Sequence, residues 1–415
     1  MEINKYSFGT GDRFGHQGVA QLQAIMKTGE LGIDLVPVWN KSHREHTIIG
    51  TTPGSVREEA GNAVKKLGWD KPWFVDADHI NKNNVDAFIE PSDFFTIDIA
   101  DFIGKKPDTS EVSDFIKRNR KYTGTLNIPG IEEKFHLSGR DLERIAGKFL
   151  FACREAAGIY NYIADRKGAG NFVTEVSMDE VDAPQNPVEL FFILSALAGY
   201  GVPVQTIAPK FTGRFNKGVD YEGDVGTFSR EFEQDLLAIE YAIHEFGLPR
   251  NLKLSVHSGS DKFAIYPVMG SLIKKYDKGI HIKTAGTTWL EEVTGLALAG
   301  GDGLMLAKEI YRKALEKQED LCAPYASVIG IDPARLPPAE EVNNWDGGTF
   351  AAVLRHDREE PRYNPDFRQL IHVGYKIAAE MGEKYTSLLE KYSGIIGQQV
   401  FENIYDRHIR RLFGV

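Results

Sequence analysis

An α/β protein of the (β/α)8 TIM-barrel class is predicted, with a helical insertion after strand 4 and a helical C-terminal extension. Three observations predict it. Eight short strand-like runs are bounded by Gly, Pro or polar residues, amphipathic helical stretches follow most of them, and polar residues gather where the runs stop. The clearest case is Leu252-Lys-Leu-Ser-Val-His-Ser-Gly-Ser-Asp-Lys262, in which apolar residues alternate as in a strand before a charged cluster begins. A doubly wound sheet is the fallback, because periodicity alone does not close a barrel.

In chain order, the strands are expected at 5–9, 34–39, 73–75, 94–99, 172–176, 204–208, 252–256 and 279–282. Amphipathic stretches at 19–26, 56–67, 188–198, 228–246 and 263–276 supply helices between them. Residues 108–167 are too long for a βα connection and read as a helical insertion, with a pair of helices near 111–120 and 139–164, over or beside the barrel mouth. The catalytic barrel is expected to span 1–321, and 322–415 to form a helical extension packed on it.

At 415 residues the chain can bury a full core without disulfides. Its two cysteines, Cys153 and Cys322, read as reduced, inert thiols of a cytoplasmic protein, and Met1-Glu-Ile-Asn-Lys5 lacks the apolar region of a secretory signal. The longest uncharged apolar run, near 190–204, is broken by Gly199, Gly201 and Pro203, so no membrane span is expected. A net charge of −10 argues against a nucleic-acid surface. Cations are therefore to be sought inside the site, with self-association into a homo-oligomer left open.

In such a barrel the residues just after each strand converge. They are Asp12, Arg13 and His16; Asn40 and Lys41; Asp76, Asp78 and His79; Asp98 and Asp101; Glu175, Asp179 and Glu180; Lys210; His257, Ser258, Ser260, Asp261 and Lys262; and His281, Lys283 and Thr284. His79 offers an imidazole ligand beside two carboxylates, and this reading stands ahead of Asp78 as a mere helix cap because two acids and a histidine arrive together. His257 has similar standing against a satisfied core histidine. His281 lies within its strand and could face either layer. Glu175 sits at a parity that points inward, where a carboxylate needs a metal or a proton to exchange. Asp179 and Glu180 read as helix-start acids. Lys210 suits an anionic substrate or a Schiff base. The Gly-rich turns from Ser258 and from Ala285 have the composition of an anion cradle. The Gly9 to Gly15 segment has the wrong spacing for a dinucleotide loop.

Taken together, Val75-Asp-Ala-Asp-His79, Val256-His-Ser-Gly-Ser-Asp-Lys-Phe263 and His281-Ile-Lys-Thr-Ala-Gly286 resemble the tagaturonate epimerase family, also called fructuronate/tagaturonate epimerases, over most of the chain. The resemblance implies a metal-dependent barrel enzyme that interconverts D-tagaturonate and D-fructuronate in hexuronate catabolism. It further implies His79 and His257 as ligands of a divalent cation (Zn, Mn, Co or Ni) and Asp78 as the proton acceptor. His281 as a further ligand and Glu175 as the acid that returns a proton are placements from the residues themselves. Arg13, Lys210, Lys262 or Lys283 is expected to hold the hexuronate carboxylate, with Ser258 and Asp261 as further substrate contacts.

Numbered as ketoses, the two sugars differ at C4, which is β to the carbonyl. Removing an α-proton cannot invert that centre, whereas breaking and re-forming the C3–C4 bond can. Two rivals stand beside this expectation. One is a Schiff-base aldolase of a phosphosugar using Lys210, and the other is a non-catalytic sugar-acid binding protein.

Overall fold

Eight parallel strands close on themselves in the computed structural model, which describes all residues of the chain except Gly259, Ser260 and Ala285. The strands are β1 (Tyr6–Gly11), β2 (Leu35–Ser42), β3 (Phe74–Ile80), β4 (Phe94–Asp98), β7 (Val173–Ser177), β8 (Thr206–Ala208), β9 (Lys253–His257) and β10 (Ile280–Lys283). Around the barrel their order is β1-β10-β9-β8-β7-β4-β3-β2, the sequence order of a (β/α)8 ring. β5 (Gly124–Leu126) and β6 (Phe135–Leu137) form a separate antiparallel pair.

Apolar residues face the surrounding helices rather than the barrel axis in the catalytic half of the ring. Leu254, Val256, Ile280 and Ile282 belong to the large core that includes the helices. Their neighbours Ser255, His257, His281 and Lys283 turn inward. The floor of the barrel is apolar, filled by Ile3, Val36, Val38, Phe74, Phe94 and Val173. The interior is thus greasy at the amino ends of the strands and charged at their carboxyl ends, which positions chemistry at one mouth.

The insertion contains the expected helices, at Thr109–Asn119 and Gly139–Lys167, with the β5/β6 pair between them. Its long helix starts at a capping box, in which Ser138 and Asp141 satisfy each other's backbone N–H groups. That helix packs on β4 and on the helix Pro187–Gly199, so it serves as an outer helix of the ring. No residue of 108–167 lines the cavity at the mouth, so of the two expected placements, over or beside the mouth, the insertion does not take the first.

After β10, the helix Thr287–Ala299 completes the ring and helical segments fill most of the remaining chain. The helix Ser393–Glu402 packs on Thr287–Ala299 and on Gly18–Lys27. Its approach is close enough that a Cβ at Gly295 would lie 2.7 Å from the Ile396 Cα. Among the described residues, no helix is long and apolar enough to cross a membrane.

A buried ionic hub ties the extension to the barrel. Asp261, just beyond β9, accepts from Arg368 at 2.7 Å, with His356 and His408 each 3.4 Å away and Asn403 at 3.4 Å. Arg368 also donates to the carbonyls of Gly218 and Leu354. Both charges are removed from water, so their mutual pairing and these added hydrogen bonds must offset a desolvation cost of several kcal/mol per ion. Arg368→Met is expected to destabilise the fold by about 3–5 kcal/mol, because it leaves a buried carboxylate without its cation. The check is the urea unfolding midpoint, and adding Asp261→Leu should recover part of the loss.

Candidate metal and sugar-acid site

β3 supplies the centre of the site through an irregularity. Its register with β4 shifts between Ala77 and Ile80, and His79 adopts φ 51°. A bulge interrupts the alternation of side chains, and the left-handed backbone turns the His79 ring toward the mouth. Asp98, at the end of β4, lies 3.3 Å from its Nδ1. Across the barrel, His257 ends β9, and the two rings meet edge to face with centroids 5.1 Å apart.

Glu175 on β7 orients the second imidazole, its Oε1 2.7 Å from His257 Nε2. The other nitrogen, Nδ1, lies 3.2 Å from Asp179 Oδ1. Ser177 in turn donates to Asp179. One donor atom each from His79, Asp179 and His257 fall within 4.8 Å of one another, a grouping that can hold a metal ion. A carboxylate backing the far nitrogen of a ligand histidine, as Glu175 does, is the usual partner in such sites.

Beneath this group Lys283 neutralises the barrel interior. Its ammonium lies 2.7 Å from Asp76, 2.6 Å from Asp78 and 3.7 Å from Glu175, and it donates to Thr96 at 2.8 Å. Burial raises Asp76 to about 6 despite the lysine. For Asp78 burial is outweighed by Lys283, His79 and His257, which pull it to about 2. Burial opposes the charge of each mouth histidine, yet the facing acids prevail and raise His79 to about 10 and His257 to about 9. A cation placed between those rings would displace these protons and inherit the same carboxylate field.

The cavity above measures about 660 Å³, within the range of small-molecule sites. Asp78, His79, Asp98, Asp179, His257 and Lys283 form one wall, and Arg13, Arg44, Lys210, Arg214 and Lys217 contribute cations elsewhere. Arg13 is buried, its Nε held by Glu45 at 2.7 Å, and its Nη1 makes no hydrogen bond among the described residues. Lys210 lies on the same lining, with its backbone N–H bound to Gln185.

Several expected contacts are elsewhere. His281 faces the barrel interior, bound to Ser7 at 2.9 Å, and is not in the close group of donors; burial lowers it to about 3. Glu175 is fully buried below His257 and does not line the cavity, so direct proton return to a sugar is not its geometry. Ser258 donates to the Lys283 carbonyl, and Asp261 belongs to the hub with Arg368. Lys262 donates to the carbonyls of Asn216 and Val219. These three polar groups hold the barrel's loops and extension, not the cavity wall. Of the expected anion cradle, Gly259, Ser260 and Ala285 lie outside the described residues. Asp179, read from sequence as a helix-start acid, begins no helix and faces His257 instead.

A family model described as tagaturonate epimerase matches residues 1–412. The chain is 30% identical to the tagaturonate/fructuronate epimerase of Thermotoga maritima, over 98% of its own length and 79% of that protein. It also resembles the crystal structure of fructuronate-tagaturonate epimerase UxaE from Cohnella laeviribosi with one glycerol bound, at TM-score 0.81 and 24% identity, covering 99% of this chain and 82% of that one. The native crystal structure of the same Cohnella protein matches at TM-score 0.79. These two likenesses establish the shared fold.

Lys283→Met removes the cation that Asp76 and Asp78 share, and is expected to cost about 3–5 kcal/mol at neutral pH. The sign of the pH effect follows from Asp76. Without the lysine its folded pKa rises further above the unfolded value, so the folded state binds the proton first and gains stability as pH falls. The deficit in urea unfolding should therefore shrink between about pH 7 and pH 5.

Proposed function

The chain belongs to the tagaturonate epimerase family, and from that premise we propose that it interconverts D-tagaturonate and D-fructuronate at ketose C4, with a divalent cation held by His79, Asp179 and His257. It is an isomerase of the carbohydrate epimerase type. The observation that carries the proposal is the convergence of those three donors beside Asp78, on a cavity whose remaining lining bears the cations that a sugar acid needs. Two imidazoles and a carboxylate suit Zn, Mn, Co or Ni. Such an ion, when bound, supplies Lewis acidity toward the sugar's oxygens.

The chain's own groups account for the rest. Asp78 accepts the proton of the C4 hydroxyl, the electrons of that O–H bond form the C4 carbonyl, and those of the C3–C4 bond pass to C3 as the C2 carbonyl becomes an enolate oxygen. The aldehyde half then presents its other face, the bond re-forms, and Asp78 returns the proton to the new C4 alkoxide. This route uses one carboxylate for both transfers, leaving Glu175 to fix the tautomer and orientation of His257. Lys283 keeps Asp78 ionised between turnovers. Arg13 holds the C6 carboxylate, which stays on the aldehyde half and would otherwise let that fragment escape. Lys210 borders the same space and adds positive potential.

The test is elemental analysis of purified protein followed by NMR of D-fructuronate before and after chelation. Roughly one divalent ion per chain is expected, lost in His257→Ala and Asp179→Ala, with epimerisation abolished by chelation and restored by the metal. Full turnover after complete metal removal would overturn the metal assignment, and a metal-replete enzyme that leaves C4 untouched would overturn the reaction. Asp78→Asn should retain the ion while lowering kcat by about 10²–10⁴.

A further inference from the structure

We infer that Tyr375, from the C-terminal extension, is a positioning residue that sets Arg13 for the substrate carboxylate and so determines affinity for the sugar acid. This rests on the reading of Arg13 as the carboxylate anchor. The Arg13 guanidinium lies 4.1 Å over the Tyr375 ring, and its Nε is held at 2.7 Å by Glu45. The Tyr375 hydroxyl is 2.9 Å from that of Tyr325, a residue that itself lines the cavity. Both tyrosines are buried. A ring face and an acid thus fix the plane and the rotation of the guanidinium, while its Nη1 has no hydrogen bond among the described residues.

The remaining space around Arg13 is also built. Gly286 has φ 95°, and a Cβ there would lie 3.1 Å from Arg13 Nη2 and 2.6 Å from His372 Nε2. His372 is buried, and burial together with the charge of Arg13 lowers it far below the ordinary histidine range, so it sits as a neutral ring. Arg13 is therefore confined by the helix His43–Ile49, by the turn at Gly286 and by the extension. A flexible arginine loses side-chain entropy when it grips an anion, and one already stacked and clamped has lost most of it beforehand. The guanidinium also keeps its electrostatic attraction to the ring face while a buried position limits its hydration.

The experiment measures kcat and KM for D-fructuronate in Tyr375→Leu, Tyr375→Phe and Arg13→Gln. Tyr375→Leu should raise KM about tenfold with kcat within about twofold, the pattern of lost ground-state binding. Tyr375→Phe keeps the ring and should keep the wild-type KM, a rescue that separates ring stacking from the Tyr325 hydroxyl contact. If Leu prevents folding, Tyr375→Met, closer in reach, takes its place. An unchanged KM in Tyr375→Leu or Tyr375→Met, or equal losses in the Phe and Leu variants, would overturn the inference. Arg13→Gln separates the two levels of the claim. If it leaves KM unchanged, the carboxylate anchor itself is wrong; if it raises KM while the ring variants do not, only the role of Tyr375 falls.

Discussion

The ammonium of Lys283, set between Asp76 and Asp78 inside a closed ring of strands, is the interaction on which the site depends. A TIM barrel normally fills its interior with branched apolar side chains. Here β3, β4, β7, β9 and β10 place Asp76, Asp78, Thr96, Glu175, His257, His281 and Lys283 within it. Two adjacent carboxylates removed from water cannot both stay ionised without a counter-charge and hydrogen bonds. Lys283 supplies the charge, while Thr96 and Thr206 supply hydroxyl donors to Asp76 and Glu175. The position of each mouth histidine then follows, since Glu175 fixes one nitrogen of His257 and Asp78 adjoins His79 in the chain.

The extension has a comparable logic one layer further out. Asp261 and Lys262 follow β9 directly, where a barrel places catalytic groups, yet both are engaged in holding neighbouring segments. Lys262 fastens Asn216 and Val219 of the loop after β8, and Arg368 fastens Gly218 in the same loop. That loop carries Arg214 and Lys217 onto the cavity. The extension also brings Tyr325 to the cavity and Tyr375 to Arg13. The residues past 322 are therefore part of the machinery that presents positive charge, as well as packing for the outer helices.

How much of this was legible depends on the range of the interaction involved. All eight barrel strands were readable, because a parallel strand covered by helices shows as a short apolar run. The placement of His79 and His257 at the mouth was readable because each follows such a run where it becomes polar. The end of β3 was not: the sequence suggests a stop at Val75, while the strand continues through Ile80, its acids tolerated because Lys283 comes from β10, more than two hundred residues away. Ser258, Asp261 and Lys262 looked like substrate contacts because nothing local says that the β10 carbonyl, the distant extension and the loop after β8, respectively, will claim them. Asp179 looked like a helix-start acid, and only the loop's tertiary path turns it toward His257. Tyr375 had no signal at all, since an aromatic residue in an amphipathic helix reads as core, which it also is.

His79 shows why part of the site had to be strained. Alternation along β3 sends Asp76 and Asp78 inward, as their contacts with Lys283 require, and would send the next residue out toward the helices. A cavity that needs both a carboxylate and an imidazole from neighbouring positions can have them only if the alternation fails between them. The register shift after Ala77 and the φ of 51° at His79 are that failure, at a cost of about 1–3 kcal/mol for a non-glycine residue in the left-handed region. Asp98, Asp78 and Asp179 supply the opposing attraction, each drawing the ring toward the mouth. The strain is tolerable because three acids surround one imidazole, and those acids in turn need a cation nearby. The local backbone distortion and the affinity for positive charge are therefore two aspects of one arrangement, which a relaxed strand of the same composition would not possess.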